Sequence, residues 1–220
     1  MGTDEGRDDA ADGIAGFERI GEMDSKSLLK PHVPLLVVTE SETTGPNVMT
    51  AAWWMLAGYD PFRYLLSVDH GTDTYEILEE HPEFVMGVPT VEQLDAVTRC
   101  GTTSGREVDK VETLDLDLVE AAEVDVPLLA DALGNVECRV EESFEFGNIT
   151  YYFGEVAAAH VGRGGLDGRI LSPAAGPLAY MGSDRDEDGA KYRYYLEYGD
   201  LARAADEALL GTGSTDGESG

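Results

Sequence analysis

The chain reads as a mainly β protein with some α, built on a closed or partly closed antiparallel barrel with a few flanking helices. Three observations predict this. Short apolar runs of strand character recur at Leu35–Thr39, Tyr64–Val68 and Glu83–Val88. Two alternating stretches, Val136 to Phe146 and Ile149 to Phe153, flank Gly147-Asn148 and predict a long hairpin with a Gly-first turn. No GxGxxG follows the first strand, which argues against a doubly wound nucleotide-binding sheet. Hairpins with few helices favour a barrel.

Each element has a local reason. Leu35 to Thr39 is a continuous apolar run, as expected of a strand buried on both faces. Between the second and third runs, Thr72 to Glu80 predicts a helix: Asp73 and Glu76 have capping-box spacing, and Ile77 and Leu78 supply an apolar face. A second helix is predicted over Val91 to Arg99. Thr90 and Gln93 pair as a capping box, Val91, Leu94 and Val97 recur every three residues, and Gly101 closes it. In the late hairpin Val136, Cys138 and Val140 share one parity, which Phe144 and Phe146 continue. Residues 1–24 read as an acidic, mobile segment in which Ile14, Phe17 and Ile20 could form one docked turn. Residues 25–200 form the folded domain. Residues 201–210 have the pattern of a helix, followed by a polar tail to residue 220.

The 220 residues carry 44 acidic and 15 basic side chains, a formal net charge of −29. At 42% hydrophobic the chain is too apolar to be a disordered acidic protein, so the acids coat a folded body. Such a surface repels nucleic acid. It suits either a basic partner or solvation in molar salt, and its even spread along the chain favours salt. Cys100 and Cys138 form no CxxC, which excludes a cysteine-built zinc ribbon or iron–sulfur cluster. They read as buried thiols in a reducing cytosol. No apolar run approaches the roughly 18 residues of a membrane span. A soluble, cytoplasmic protein is expected. His32, His70, His81 and His160 show no metal-ligand spacing, no GxSxG elbow is present, and no acid–base couple stands out.

Two runs carry chemistry. The first is Gly45-Pro46-Asn47-Val48-Met49-Thr50-Ala51-Ala52-Trp53-Trp54. Asn47 offers an amide and Thr50 a hydroxyl, and the small Ala51 and Ala52 let backbone approach a ligand. Trp53 and Trp54 are adjacent and would face opposite ways on a strand. The second run is Thr103-Ser104-Gly105-Arg106-Glu107-Val108-Asp109-Lys110, rich in hydroxyls and cations. Lysine occurs only at positions 26, 30, 110 and 191. Lys110 could meet a phosphate as a point charge, or simply pair with Asp109 or Glu112; Arg106 could likewise pair with Glu107. Thr74 lies in a helix's first turn, where an anion or a plain cap would both be satisfied.

Together these runs, with Thr74-Tyr75, Glu83-Phe84-Val85, Glu137-Cys138 and Phe153-Gly154-Glu155-Val156, resemble the flavin reductase-like family over about residues 28–200. The resemblance implies an FMN-binding split barrel of Greek-key type, paired as a homodimer with flavin near the interface. It implies that Asn47, Trp53, Thr74, Lys110 and Tyr180 contact FMN, with Met49, Thr50, Ala51, Ser67 and Ser104 contributing. It implies NAD(P)H as co-substrate, or instead a redox-protein or flavin-dependent partner if the chain is an electron carrier or a non-catalytic flavin-binding protein. No side chain need act as acid or base. The resemblance departs at Ile149, where many relatives have histidine, and this loss of a polar group bears on nicotinamide handling. His70 follows the strand holding Ser67 and could reach the site.

Overall fold

The computed structural model describes residues 17, 19–167, 170–185 and 191–197. The helix and tail predicted after residue 200 lie outside these, as does Ile14. Phe17 is 76% exposed and Ile20 43%, so neither docks as the expected N-terminal turn.

Seven strands form one antiparallel sheet: β1 (Leu35–Ser41), β2 (Gly45–Ala51), β3 (Trp54–Tyr59), β4 (Phe62–Asp69), β5 (Glu83–Val88) and, counting two short strands between, β8 (Gly134–Phe146) and β9 (Ile149–Val161). Their order is β2-β1-β5-β8-β9-β4-β3. The two edge strands, β2 and β3, are therefore consecutive in the chain and joined only by Ala52 and Trp53. The three steps from Ala51 to Trp54 span at most about 11 Å, so the sheet must curl until its edges come close. Among the described pairings no ladder links β2 to β3, so the barrel is closed by the chain and split along a seam. The remaining pairs are small: β6 (Leu118–Val119) with β7 (Leu128–Leu129), β10 (Leu166–Asp167) with β11 (Ile170–Leu171), and β12 (Leu178–Arg185) with β13 (Lys191–Glu197).

Two cores lie on opposite faces of the sheet. Inside the barrel Leu35, Val37, Leu66, Val68, Phe84, Met86, Cys138 and Tyr152 pack together. Outside it Leu36, Val38, Val48 and Val85 pack under Val97, Cys100 and the stretch Val124 to Ala132. β1 and β5 contribute to both, which is why their sequences run apolar without alternation.

The helices follow their caps, with one correction. α2 (Asp73–Glu80) is capped by Thr72, whose hydroxyl accepts from the Tyr75 amide at 3.3 Å; the Asp73–Glu76 box predicted from spacing does not form. The competing carboxylate of Asp73 is held elsewhere, as described below. The Thr90–Gln93 box forms as predicted, but it opens a 3₁₀ turn, Val91–Gln93, before α3 (Leu94–Cys100). A short helix after Ser25 (α1, Ser25–Leu28) and another after Asp109 (α4, Lys110–Thr113) were not apparent in the sequence.

The β8–β9 hairpin turns at Gly147, whose φ of 64° suits glycine. Its parity is not simple. A bulge between Val140 and Glu142 inserts one residue and swaps the faces beyond it. Val136 and Cys138 face the barrel interior, whereas Phe144 and Phe146 turn outward and are 60% and 71% exposed. On β9 the buried parity is Thr150, Tyr152 and Gly154, so the apolar alternation of Ile149, Tyr151 and Phe153 marks the half-exposed outer face.

Candidate functional site

The seam of the barrel holds a cleft of about 640 Å³, lined by Pro34, Met49, Thr50, Ala51, Ala52, Trp53, Ser67, Asp69, Thr72, Gly101, Ile149, Tyr180 and Tyr195. A second hollow of about 310 Å³ lies beside it, lined by Asn47, Met49, Thr50, Gly71, Thr72, Asp73, Thr74, Cys100, Gly101 to Gly105 and Lys110. The two share Met49, Thr50, Thr72 and Gly101, so they form one L-shaped site with a wide arm and a narrow arm. Each arm has the size of a small-molecule pocket.

The sequence runs converge here because of topology. β2 carries Asn47, Met49, Thr50 and Ala51 to the seam, and the link to β3 places Trp53 at its edge. Ser67 comes from β4, Tyr180 from β12, Thr74 from the first turn of α2, and Ser104 and Lys110 from the segment after α3. All ten residues singled out from the sequence line one arm or the other. Reasoning from sequence missed Pro34, Asp69, Thr72 and Tyr195. Thr72 carried a signal, a hydroxyl residue at the start of a helical pattern, which Asp73 obscured. Tyr195 reaches the cleft only through the β12–β13 pairing, with its ring 5.5 Å from that of Tyr180.

The narrow arm is a polar cradle. Thr74 is 1% exposed, and its hydroxyl accepts from Asn47 Nδ2 at 3.1 Å. Asn47 Oδ1 is buried with no partner. A hydroxyl donates as readily as it accepts, so the amide has a second arrangement: Thr74 donates to Oδ1, and the NH₂ group turns to the hollow. Thr72 has taken the Tyr75 amide, and the cap does not engage the amides of Asp73 and Thr74. Thr50 is committed, donating to the Val97 carbonyl at 2.6 Å. Ser104 accepts from the Arg106 amide at 3.3 Å. Gly105 closes against Asn47 and Asp73. A Cβ there would stand 2.6 Å from Asn47 Oδ1 and collide with the Asp73 carboxylate.

Lys110 is the decisive group. It is only 6% exposed, lines the narrow arm, and has no salt bridge or side-chain hydrogen bond among the described residues. It pairs with neither Asp109, which caps α4 through the Glu112 amide, nor Glu112. Burial lowers its pKa, while nearby Cys100 and Asp73 push the other way. The negative charge of Asp73 is already answered by Arg106, whose Nε lies 2.9 Å away and whose Nη2 lies 2.7 Å from Glu76. The alternative pairing of Arg106 with Glu107 does not occur. A buried ammonium without an anion is costly, and the arm supplies donors in place of a counterion. Burial pushes the Cys100 thiol to about 11, so it stays protonated.

The wide arm is open and mixed in character, its aromatic and alkyl walls interrupted by Ser67, Asp69 and Thr72. Trp53 is 60% exposed at its rim, while Trp54 turns inward and donates Nε1 to the Val33 carbonyl at 2.8 Å. Ser67 Oγ is buried and unpartnered in this arm. Asp69 is tied to the Gly71 amide and to Asn148 Nδ2. Ile149 lines the cleft with an alkyl side chain. His70 contacts Thr150 and stacks on Tyr75 instead of lining either arm. His81, Glu83 and Asp125 bring ligand atoms within 4.8 Å of one another away from the site, but Glu83 already accepts from Arg139 and the Asp125 amide.

A family profile described as flavin reductase like domain matches residues 30–187. The chain belongs to the flavin reductase-like family. An uncharacterized protein of Archaeoglobus fulgidus is 38% identical over 124 residues, which cover 56% of this chain and 70% of that one. YddH of Escherichia coli is 29% identical over 145 residues, 63% and 75% of the two chains. The FMN-binding protein from Thermus thermophilus with bound 1-cyclohex-2-enone superposes with a TM-score of 0.66 at 26% identity, covering 81% of this chain and 94% of that one. Flavoredoxin of Desulfovibrio vulgaris (Miyazaki F) gives a TM-score of 0.63 at 22% identity over 83% and 93%, a likeness of fold alone. The split barrel is thus the fold of the family. Membership supports a flavin-related redox function. No helix among the described residues is long and apolar enough to cross a membrane.

Proposed function

We propose that this chain is an FMN-binding oxidoreductase that takes reducing equivalents from NAD(P)H. The observation that carries the proposal is the buried Lys110, which makes no salt bridge among the described residues in a chain of net charge −29. Such a group fits a phosphate monoester. Asn47, Thr74, Ser104 and Lys110 would hold the phosphate and the chain attached to it. Met49, Ala51, Trp53 and Tyr180 would wall the ring, and Ser67 Oγ, the second orphaned polar atom, would reach its polar edge. Bound flavin supplies the redox chemistry, accepting a hydride and releasing electrons one or two at a time. The protein's part is to grip the tail, orient the ring and exclude water, and this chemistry calls on no side chain as a general acid or base.

The outer sheet face supports a homodimer. Trp53, Ser67, Tyr151 and Phe144 lie in one cross-strand row, and Met55, Leu65 and Phe153 in the next. Trp53, Met55 and Phe144 are each more than half exposed, an apolar patch that suits a second copy. A second function is favoured by one observation. Ile149 in the cleft provides no proton and no polar contact for a nicotinamide, as suits an electron carrier reduced by a protein partner. The acidic surface is adapted to molar salt, where the Debye length is about 3 Å; a cooperative fold unchanged in dilute buffer, read by circular dichroism, would argue against that.

The test is a visible spectrum of the purified protein, followed by anaerobic NADH or NADPH. A yellow protein bleached by one of them supports the reductase. A yellow protein bleached by neither supports the carrier. Protein that stays colourless after FMN is added removes both.

A further inference from the structure

We propose that Arg106 is a positioning residue of the narrow arm: it binds the Asp73 carboxylate, keeps it from pairing with Lys110, and so leaves the ammonium to a phosphate dianion. This deepens the FMN reading and rests on it.

In a chain with 44 acidic side chains, a buried ammonium needs protection from its own protein's carboxylates. Asp73 is the one carboxylate among the residues lining the narrow arm, and Lys110 is the one cation. Among the described residues the ion pair of Asp73 is with Arg106, not with Lys110. The two arm residues are nonetheless within electrostatic reach. Burial lowers the pKa of Lys110, and Asp73 is one of two groups that push it back up.

The geometry shows what restrains Asp73. Arg106 Nε lies 2.9 Å from Asp73 Oδ1, and Nη2 lies 2.7 Å from Glu76 Oε1 on the same helix. A guanidinium can bridge two carboxylates because its donors are fixed in a planar fork, whereas an ammonium is a point charge. Arg106 itself lines neither arm. A turn sets it apart from its neighbours: the Glu107 and Val108 amides both donate to the Ser104 carbonyl at 3.2 Å, and the Arg106 amide donates to Ser104 Oγ at 3.3 Å. Ser104 and Gly105 line the hollow, and Arg106 acts from outside it. Gly105 marks where the carboxylate is held, since a Cβ there would meet both the Asp73 carboxylate and the unpartnered Asn47 Oδ1.

Released from Arg106, Asp73 would either pair with Lys110 or stand unpaired beside the phosphate. Both outcomes penalise a dianion far more than an uncharged ligand. A plain staple between α2 and the segment after α3 behaves differently. Its loss would weaken charged and uncharged flavins alike, and removing the Asp73 charge would not mend it.

The test measures Kd for FMN and for riboflavin by fluorescence titration at constant ionic strength. Wild type, Arg106→Gln, Asp73→Asn and the double variant are compared, each checked for folding by circular dichroism. Arg106→Gln should lower the preference for FMN over riboflavin about tenfold, the scale of one charge-assisted contact, with riboflavin affinity unchanged. Adding Asp73→Asn should restore the preference. Asp73→Asn alone should hold or raise it, and this variant carries the test if Arg106→Gln does not fold. Parallel loss of both ligands, an unchanged preference in Arg106→Gln, no recovery in the double variant, or a lower preference in Asp73→Asn overturns the proposal while FMN binding at Lys110 stands. Wild type with no preference for FMN over riboflavin overturns the phosphate reading itself, and this inference with it.

Discussion

The narrow and wide arms of the site share the β2 strand and the Gly101 turn, yet they are built in opposite ways. The narrow arm is dense with donors, closed by Gly105, and contains a buried cation that makes no salt bridge among the described residues. The wide arm mixes aromatic and alkyl walls with Ser67, Asp69 and Thr72, and it is open at a rim formed by a tryptophan with 60% of its surface exposed. One arm is complete within a single chain apart from an anion. The other has the look of a half-built wall, continuous with an exposed apolar sheet face. The contrast suggests that affinity is set in the narrow arm, where charge is desolvated, and that reactivity and partner choice are set in the wide one.

That division can be broken at named residues. Lys110→Met should cost FMN about 2–3 kcal/mol, about 30- to 150-fold in Kd by fluorescence titration. The apoprotein's Tm should not fall, because the substitution removes a buried charge with no partner. A lower apoprotein Tm would mean that Lys110 serves the fold. Gly105→Ala should weaken FMN about tenfold, since its Cβ displaces Asn47 and Asp73 from the cradle. Retained affinity would show that the cradle adapts. Ser67→Ala should cost about fivefold, the worth of one neutral hydrogen bond, again with no loss of apoprotein stability.

Glu137 supplies the contrast with no expected effect on flavin. It is fully buried and accepts from the amides of Ala122, Glu123 and Val124 and from His160 Nε2. Burial raises its pKa, but the Ala122 amide, His160 and the other two amides outweigh this and hold it below the usual carboxylate range. Since the folded value is the lower one, its stabilisation is full above the unfolded carboxyl pKa of about 4.3 and fades as pH falls through the folded value. Glu137→Gln should therefore destabilise at pH 7 by about 1–3 kcal/mol and flatten the acid limb of a Tm-against-pH curve. FMN affinity should be unaltered; a large loss would tie the Ala122–Val124 loop to the site.

The sequence made the narrow arm legible because its groups are chemically rare in this chain. An interior lysine among 44 acids, next to hydroxyls and glycine, stands out whatever the fold. The strands were legible through runs such as Leu35 to Val38, and the Thr90–Gln93 cap through its spacing. The wide arm was harder to see. Asp69, Pro34 and Tyr195 meet there only by long-range pairing, which leaves no local pattern. The hairpin misled for a physical reason: one extra residue at the Val140–Glu142 bulge exchanges the inner and outer faces, and an alternation of period two does not register it. Spacing pointed to Asp73 as the helix cap, but Thr72 takes that place. Arg106 decided between them by drawing Asp73 away.

The most direct test compares FMN with riboflavin, which lacks only the phosphate, in wild-type protein and in Lys110→Met. If the buried ammonium grips the phosphate, wild type should prefer FMN by about two orders of magnitude, and that preference should collapse towards one in the variant. A preference that survives the loss of Lys110 would place the tail elsewhere and contradict the assignment of the narrow arm.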